Sequence, residues 1–101
     1  MMRLLFIDDD PQAQSTLKMV LADFYQVIPA FTGEQGIESV RDEDPDLVLL
    51  DINLPDLDGL EVLQRIMAIP APPPVVIPTV YSDIRLVVAA ISHLWALKVR
   101  H

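Results

Sequence analysis

The sequence predicts an α/β fold in which a doubly wound parallel sheet carries helices on both faces. Three observations lead there. Short apolar runs alternate with stretches that show a helical apolar stripe, and the connections between them are short. Two of the runs, at 4–7 (Leu-Leu-Phe-Ile) and 47–50 (Leu-Val-Leu-Leu), are apolar at every position, as in strands covered on both faces. Right-handed crossovers then distribute the helices over the sheet, and the chemistry of such folds gathers at the carboxyl ends of the strands.

Each element has its own signal. The first strand, 4–7, is closed by Asp8, Asp9 and Asp10. Asp10 followed by Pro11 reads as an N-cap with proline at the first helical position, and Ala13, Leu17, Val20, Leu21 and Phe24 supply the inward stripe of the first helix. Residues 25–30 form a short second strand. Thr32 and Gln35 have capping-box spacing and open a second helix that runs to about Asp42. The third strand, 47–50, lies between Pro45 and Asp51. Asp58 and Glu61 repeat the capping-box spacing, and a third helix over about 59–69 carries Leu60, Leu63 and Met67 on one stripe. After the prolines at 70–74, residues 75–77 make a fourth strand. Ser82 or Asp83 caps a fourth helix with Ile84, Val87, Val88, Ile91 and Trp95 inward, and residues 97–100 are a stub of a fifth strand.

The totals bound the function. A chain of 101 residues has room for one core and buries about two-thirds of its unfolded surface. Fifteen acidic against seven basic residues give a net charge of −8, which disfavours direct contact with nucleic acid and favours cations and basic partner surfaces. The absence of cysteine removes disulfides, thiolate metal sites and a cysteine nucleophile, and fits the cytoplasm. The apolar start is too short for a signal peptide, and the prolines between Ile66 and Tyr81 rule out a membrane-spanning helix there.

Asp8, Asp9 and Asp51 each stand where an apolar strand ends, so this fold brings three carboxylates to one edge. At ~4 Å and an effective dielectric near 20, each pair repels by roughly 4 kcal/mol. A cluster of carboxylate oxygens without nearby histidine or cysteine suits a hard cation, and Mg²⁺ typically takes one or two carboxylates, several waters and phosphate oxygens. Asp10 is read as a helix cap rather than a ligand, and His93 and His101 as non-ligands. Taken alone, Thr79 is an ordinary β-branched strand residue, Tyr81 a packed aromatic, and Pro55 and Gly59 turn punctuation.

The segment Phe6-Ile7-Asp8-Asp9-Asp10-Pro11, the segment Leu47-Val48-Leu49-Leu50-Asp51-Ile52-Asn53-Leu54-Pro55-Asp56-Leu57-Asp58-Gly59, and Thr79 after a strand are together similar to the three signatures of response-regulator receiver domains. The resemblance runs from about residue 3 to 91. It implies a flavodoxin-like sheet of strand order 2-1-3-4-5, with Asp51 as phosphoacceptor and Mg²⁺ held by Asp9, by Asp8 largely through water, by Asp51 and by the backbone carbonyl of Asn53. It further implies that Thr79 is the switch hydroxyl, Tyr81 the switch aromatic, and a sensor histidine kinase or a histidine phosphotransfer protein the phosphoryl donor.

The chain departs from that pattern towards its end. The lysine that closes strand five in the family would fall at His101, with Lys98 three residues early, and the turn before that strand and the last helix have no counterpart. Val80 replaces a small residue, and Pro78 would remove a ladder bond from an interior strand. The expectation is therefore one receiver domain over 1–101, incomplete at its C-terminus, with strand five weak, the last helix missing and a homodimer possible through helix four. Two competing readings follow. One is a degenerate receiver that binds a partner without phosphorylation. The other is a small phosphohydrolase resembling the haloacid dehalogenases, with Asp8 as nucleophile, Asp10 as acid, and Thr79 and Lys98 as later motifs; it leaves the segment after Asp51 unexplained.

Overall fold

The computed structural model describes residues 1–78. Thr79, Tyr81, the fourth helix with its proposed dimer face, Lys98, the fifth strand and His101 lie outside the described residues. Within them the chain runs β1 (Met2–Ile7), α1 (Pro11–Leu21), β2 (Tyr25–Ala30), α2 (Gly33–Glu43), β3 (Leu47–Leu50), α3 (Gly59–Met67) and β4 (Val75–Val76). The described strands all pair in parallel, in the order β2-β1-β3-β4, as the flavodoxin-like order requires.

Strand periodicity divides the core in two. Leu4 and Phe6 of β1 and Leu47 and Leu49 of β3 point to the face covered by α1, where Leu17, Leu21 and Tyr25 meet them. Leu5, Ile7, Val48 and Leu50 point to the other face, against Ile37 and Val40 of α2 and Val62 and Ile66 of α3. β1 and β3 are buried at every apolar position from Leu4 to Ile7 and from Leu47 to Leu50, and each such side chain contributes about 1.5–3 kcal/mol by leaving water. Among the described strands β2 lies at one edge, a position that tolerates Pro29 opposite Phe6.

The N-caps form at the expected residues, but the Asp58 carboxylate bonds Leu60 N rather than the Glu61 N of a capping box. Asp10 accepts from Gln12 N at 2.9 Å, with Pro11 opening α1. Thr32 Oγ1 accepts from Gln35 N at 3.1 Å, while Gln35 Oε1 reaches back to Phe31 N, one residue further out than a standard capping box. Asp58 Oδ1 accepts from Leu60 N at 2.9 Å.

Several expectations need correction. β1 begins at Met2 rather than Leu4, because its ladder with β2 starts at the pair Met2 and Tyr25. The buried stripe of α1 is Gln14, Leu17 and Leu21; Val20 falls on its flank, and Phe24 lies beyond the end of the helix, where its N–H closes a turn on Leu21 O and the residue is 68% exposed. In α3 the buried stripe is Gly59, Val62 and Ile66, one step round from the expected one, so Leu60 and Met67 are exposed and only Leu63 of the expected set packs, partly buried, against the core. The close approach of the helix to its neighbours selects that face: a Cβ on Gly59 would stand 2.6 Å from Ile52 Cα. Likewise, a Cβ on Gly33 of α2 would stand 2.8 Å from Val62 Cγ2. α3 ends at Met67, and β4 at Val76. Pro78 therefore lies past the strand and removes no bond from the described ladder.

Candidate functional site

The carboxyl ends of β1 and β3 are pinned by main-chain bonds that continue the ladder past the last strand residues. Asp8 N donates to Ala30 O and Asp51 N donates to Ile7 O, each at 2.9 Å. These bonds fix the Cα positions of Asp8 and Asp51 side by side at the crevice where the chain order reverses across the sheet, the place where doubly wound folds bind their ligands. Asp9, next in the chain, is exposed. One carboxylate oxygen from each of Asp8, Asp9 and Asp51 lies within 4.8 Å of the other two.

The three carboxylates differ in environment. Asp8 is buried and Asp51 half-buried, whereas Asp9 is exposed. Burial pushes the Asp8 carboxyl above its ordinary value; a hydrogen bond from Asp10 N, at 2.9 Å to Oδ1, opposes the rise, and the charges of Asp51, Asp9 and Asp10 add to it. Asp51 Oδ1 accepts from Asn53 N at 3.1 Å, which restrains rotation of that carboxylate and begins the loop 52–58.

That loop and Asp9 line an open groove of about 590 Å³ beside the cluster. It is tied down at three points. Asn53 and Asp58 form an antiparallel bridge, and Gly59 N donates to Ile52 O at 3.3 Å. Asp56 accepts from Gly33 N at 2.8 Å and Glu34 N at 3.1 Å, satisfying two of the donors that the first turn of α2 leaves open. Desolvation tends to raise the Asp56 pKa, but these bonds and those from the Asp56 and Leu57 amides outweigh it and hold the carboxyl below its ordinary value. Arg65 of α3 pairs with Glu34 at 2.8 Å, so α2, α3 and the loop form one connected unit.

Of the residues expected in a site, Asp8, Asp9, Asp51 and Asn53 therefore come together, while Thr79 and Tyr81 lie outside the described residues. Asp10 does not join the cluster of three and is engaged as the cap of α1, which argues against an acid role for it and against the phosphohydrolase reading. Sequence reasoning missed two residues. Asp56 clamps the loop to α2, and nothing in its spacing marks it. Gln14 is 5% exposed and reaches the ends of β1 and β2; a polar residue at helical spacing from Leu17 and Leu21 was the available signal.

The sequence profile of the response regulator receiver domain matches residues 4–94. This chain belongs to that family. The nitrate/nitrite response regulator protein NarL of Escherichia coli (strain K12) is 42% identical to this receiver over 66 residues, which are 62% of this chain and 31% of that protein. Sporulation initiation phosphotransferase F of Bacillus subtilis (strain 168) is 35% identical over 86 residues, 84% of this chain and 69% of that protein. Among solved structures, the response regulator domain of Thermotoga maritima CheB is 30% identical with a TM-score of 0.69, over 75% of this chain and 58% of that one. A CheY-like receiver domain from Methanospirillum hungatei JF-1 shares the fold with a TM-score of 0.80 at 22% identity, over 99% of this chain and 98% of that one. The receiver spans about a third of the length of the first curated relatives it matches. Among the described residues no helix is long and apolar enough to cross a membrane.

Proposed function

We propose that this receiver takes a phosphoryl group onto Asp51 from a phosphohistidine of a sensor histidine kinase or a histidine phosphotransfer protein, in a reaction that depends on Mg²⁺, and that it does so in the cytoplasm. The observation that carries the reading is the convergence of Asp8, Asp9 and Asp51 within 4.8 Å at the carboxyl edge of the sheet, in a chain of this family. The donor set is all oxygen, one member is buried, and a groove opens beside it, which suits a small hard cation that keeps part of its water shell. Asp8, Asp9, Asp51 and the backbone carbonyl of Asn53 are the residues that would hold it. When bound, Mg²⁺ supplies neutralising charge for the transferring phosphoryl oxygens.

The chain's own residues account for the rest. An Asp51 carboxylate oxygen donates its electron pair to phosphorus and forms the O–P bond. The P–N bond of the donor breaks, its electron pair returning to the imidazole nitrogen. The half-buried Asp51, restrained by Asn53 N, is better placed to attack than Asp8, which is buried. Positioning does most of the work, so the loop anchors at Asn53, Asp56 and Gly59 contribute by holding Asp51 in place. The receiver is modified stoichiometrically, and its only enzymatic acts are this transfer and its own slow dephosphorylation. Thr79 and Tyr81 are the residues we assign to the subsequent switch, on the strength of the motif alone.

Incubation with acetyl phosphate and Mg²⁺, followed by mapping of the modified residue, tests the proposal. One phosphoryl group on Asp51 is expected, and none in Asp51→Asn. Label on Asp8, or labelling that persists in Asp51→Asn, overturns it.

A further inference from the structure

Gln14 is the polar member of the buried stripe of α1, packed between that helix and the sheet. Its Nε2 stands 2.9 Å from Phe6 O, 3.1 Å from Asp8 O and 3.1 Å from Ala30 O. An amide nitrogen has two hydrogens for these three acceptors, so at least one is shared. Ala30 O also accepts from Asp8 N, which places the amide at the fork where β1 and β2 stop pairing and Asp8 begins to turn away. On the other side of the same amide, Oε1 is buried and accepts no hydrogen bond among the described residues. Turning the group over would set Oε1 against three carbonyl oxygens, so the surroundings determine its orientation. A buried acceptor without a partner is costly, and a methionine on this stripe would avoid the cost while filling similar space. What the amide supplies in return is a donor to the peptide that joins Asp8 to Asp9.

We propose that Gln14 is a positioning residue for the cation site: by holding the Asp8 carbonyl from α1, it fixes the direction in which the Asp8 and Asp9 carboxylates leave the end of β1. The inference rests on the function proposed above, in which those carboxylates hold Mg²⁺. Mg²⁺ tolerates little departure from octahedral geometry, and the three carboxylates repel one another whenever the site holds no cation. A restraint on the peptide between two ligands therefore acts on affinity directly. Losses on removing such supporting bonds run about 10–100-fold in metal affinity.

The test compares Mg²⁺ affinity, by calorimetric titration well below the melting midpoints, in the parent, in Gln14→Met and in Leu17→Ala. Leu17 lies on the same buried stripe one turn on and belongs to the core cluster on that face, so its truncation lowers stability by a route that does not involve the Asp8 carbonyl. The dissociation constant is expected to rise about tenfold or more in Gln14→Met and to stay within about twofold of the parent in Leu17→Ala. Amide exchange at Asp9 and Asp10 should quicken only in Gln14→Met. If Gln14→Met does not fold, Gln14→Asn, which keeps the amide but shortens its reach, is held to the same criterion. Unchanged affinity in the Gln14 variant, or an equal loss in Leu17→Ala, overturns this inference and leaves the proposed function standing. A parent that binds no Mg²⁺ overturns both.

Discussion

Asp8 and Asp56 show how the same side chain contributes in opposite ways at the two ends of one site. Asp8 is buried among like charges, and its folded pKa is raised. Its cost to folding is thus fully present above that raised value and disappears below the ordinary carboxylate value. Asp8→Asn removes a buried charge but keeps an oxygen for Asp10 N, so without Mg²⁺ it should stabilise the fold at neutral pH by about 1 kcal/mol, or roughly 4 °C in melting midpoint. A midpoint equal to or below the parent's, measured in the presence of a chelator, would contradict the account. Asp56 behaves in the reverse sense, because its folded pKa is lowered. Its contribution is present above the ordinary carboxylate value and is lost as pH falls through the lowered one. The stability difference between the parent and Asp56→Ala should therefore be largest near neutrality and shrink below about pH 4. Urea denaturation across that range checks it, and a difference that grows on acidification would rule out the clamp. The crowding of Asp8 was legible in the sequence, as one of three carboxylates at strand ends, whereas the Asp56 clamp was not, since an aspartate in a turn reads the same whether its carboxylate faces water or the amides of a neighbouring helix.

At the level of elements, legibility followed the range of the interactions. Asp10 with Pro11, Thr32 and Asp58 cap helices through bonds to residues two or three positions on, and local spacing was enough to find them. The inward face of α3 was misread because Gly59, Val62 and Ile66 and the adjacent Leu60, Leu63 and Met67 both make helical stripes. The choice between them depends on how closely the first turn approaches Ile52, which is a tertiary matter. Gly59→Ala tests that explanation. The added Cβ would meet Ile52 Cα at 2.6 Å and Ile52 O at 2.9 Å, and backbone cannot yield as a side-chain tip can. Overpacking of this kind costs about 1–3 kcal/mol, enough to exceed the gain of up to ~1 kcal/mol that alanine brings to a helix. Net destabilisation in urea, with slower phosphorylation of the still-folded protein because the loop after Asp51 is displaced, is the expected result. A neutral or stabilised variant would mean that the α3 face is set by something other than this contact.

Across the whole molecule, the acidic cluster joins the two central strands, each of which carries apolar side chains into both halves of the core. A cation bound there would stabilise a pairing that the unfolded chain does not possess, since Asp8 and Asp9 are more than forty residues from Asp51 in sequence. Binding to the folded state alone adds RT ln(1 + [Mg²⁺]/Kd), so each tenfold increase above Kd should add about 1.4 kcal/mol, or roughly 5–10 °C in melting midpoint for a domain of this size. Sodium chloride at matched ionic strength screens the carboxylates without entering the site and should give a smaller shift that tends to a limit as the Debye length falls. Asp9→Ala should lose the logarithmic Mg²⁺ dependence while keeping the salt response, because its exposed carboxylate takes no part in the core. If the Asp9→Ala midpoint climbs with Mg²⁺ as the parent's does, the stabilising cation sits elsewhere, and the carboxylates at this edge would then have to be explained by the fold alone.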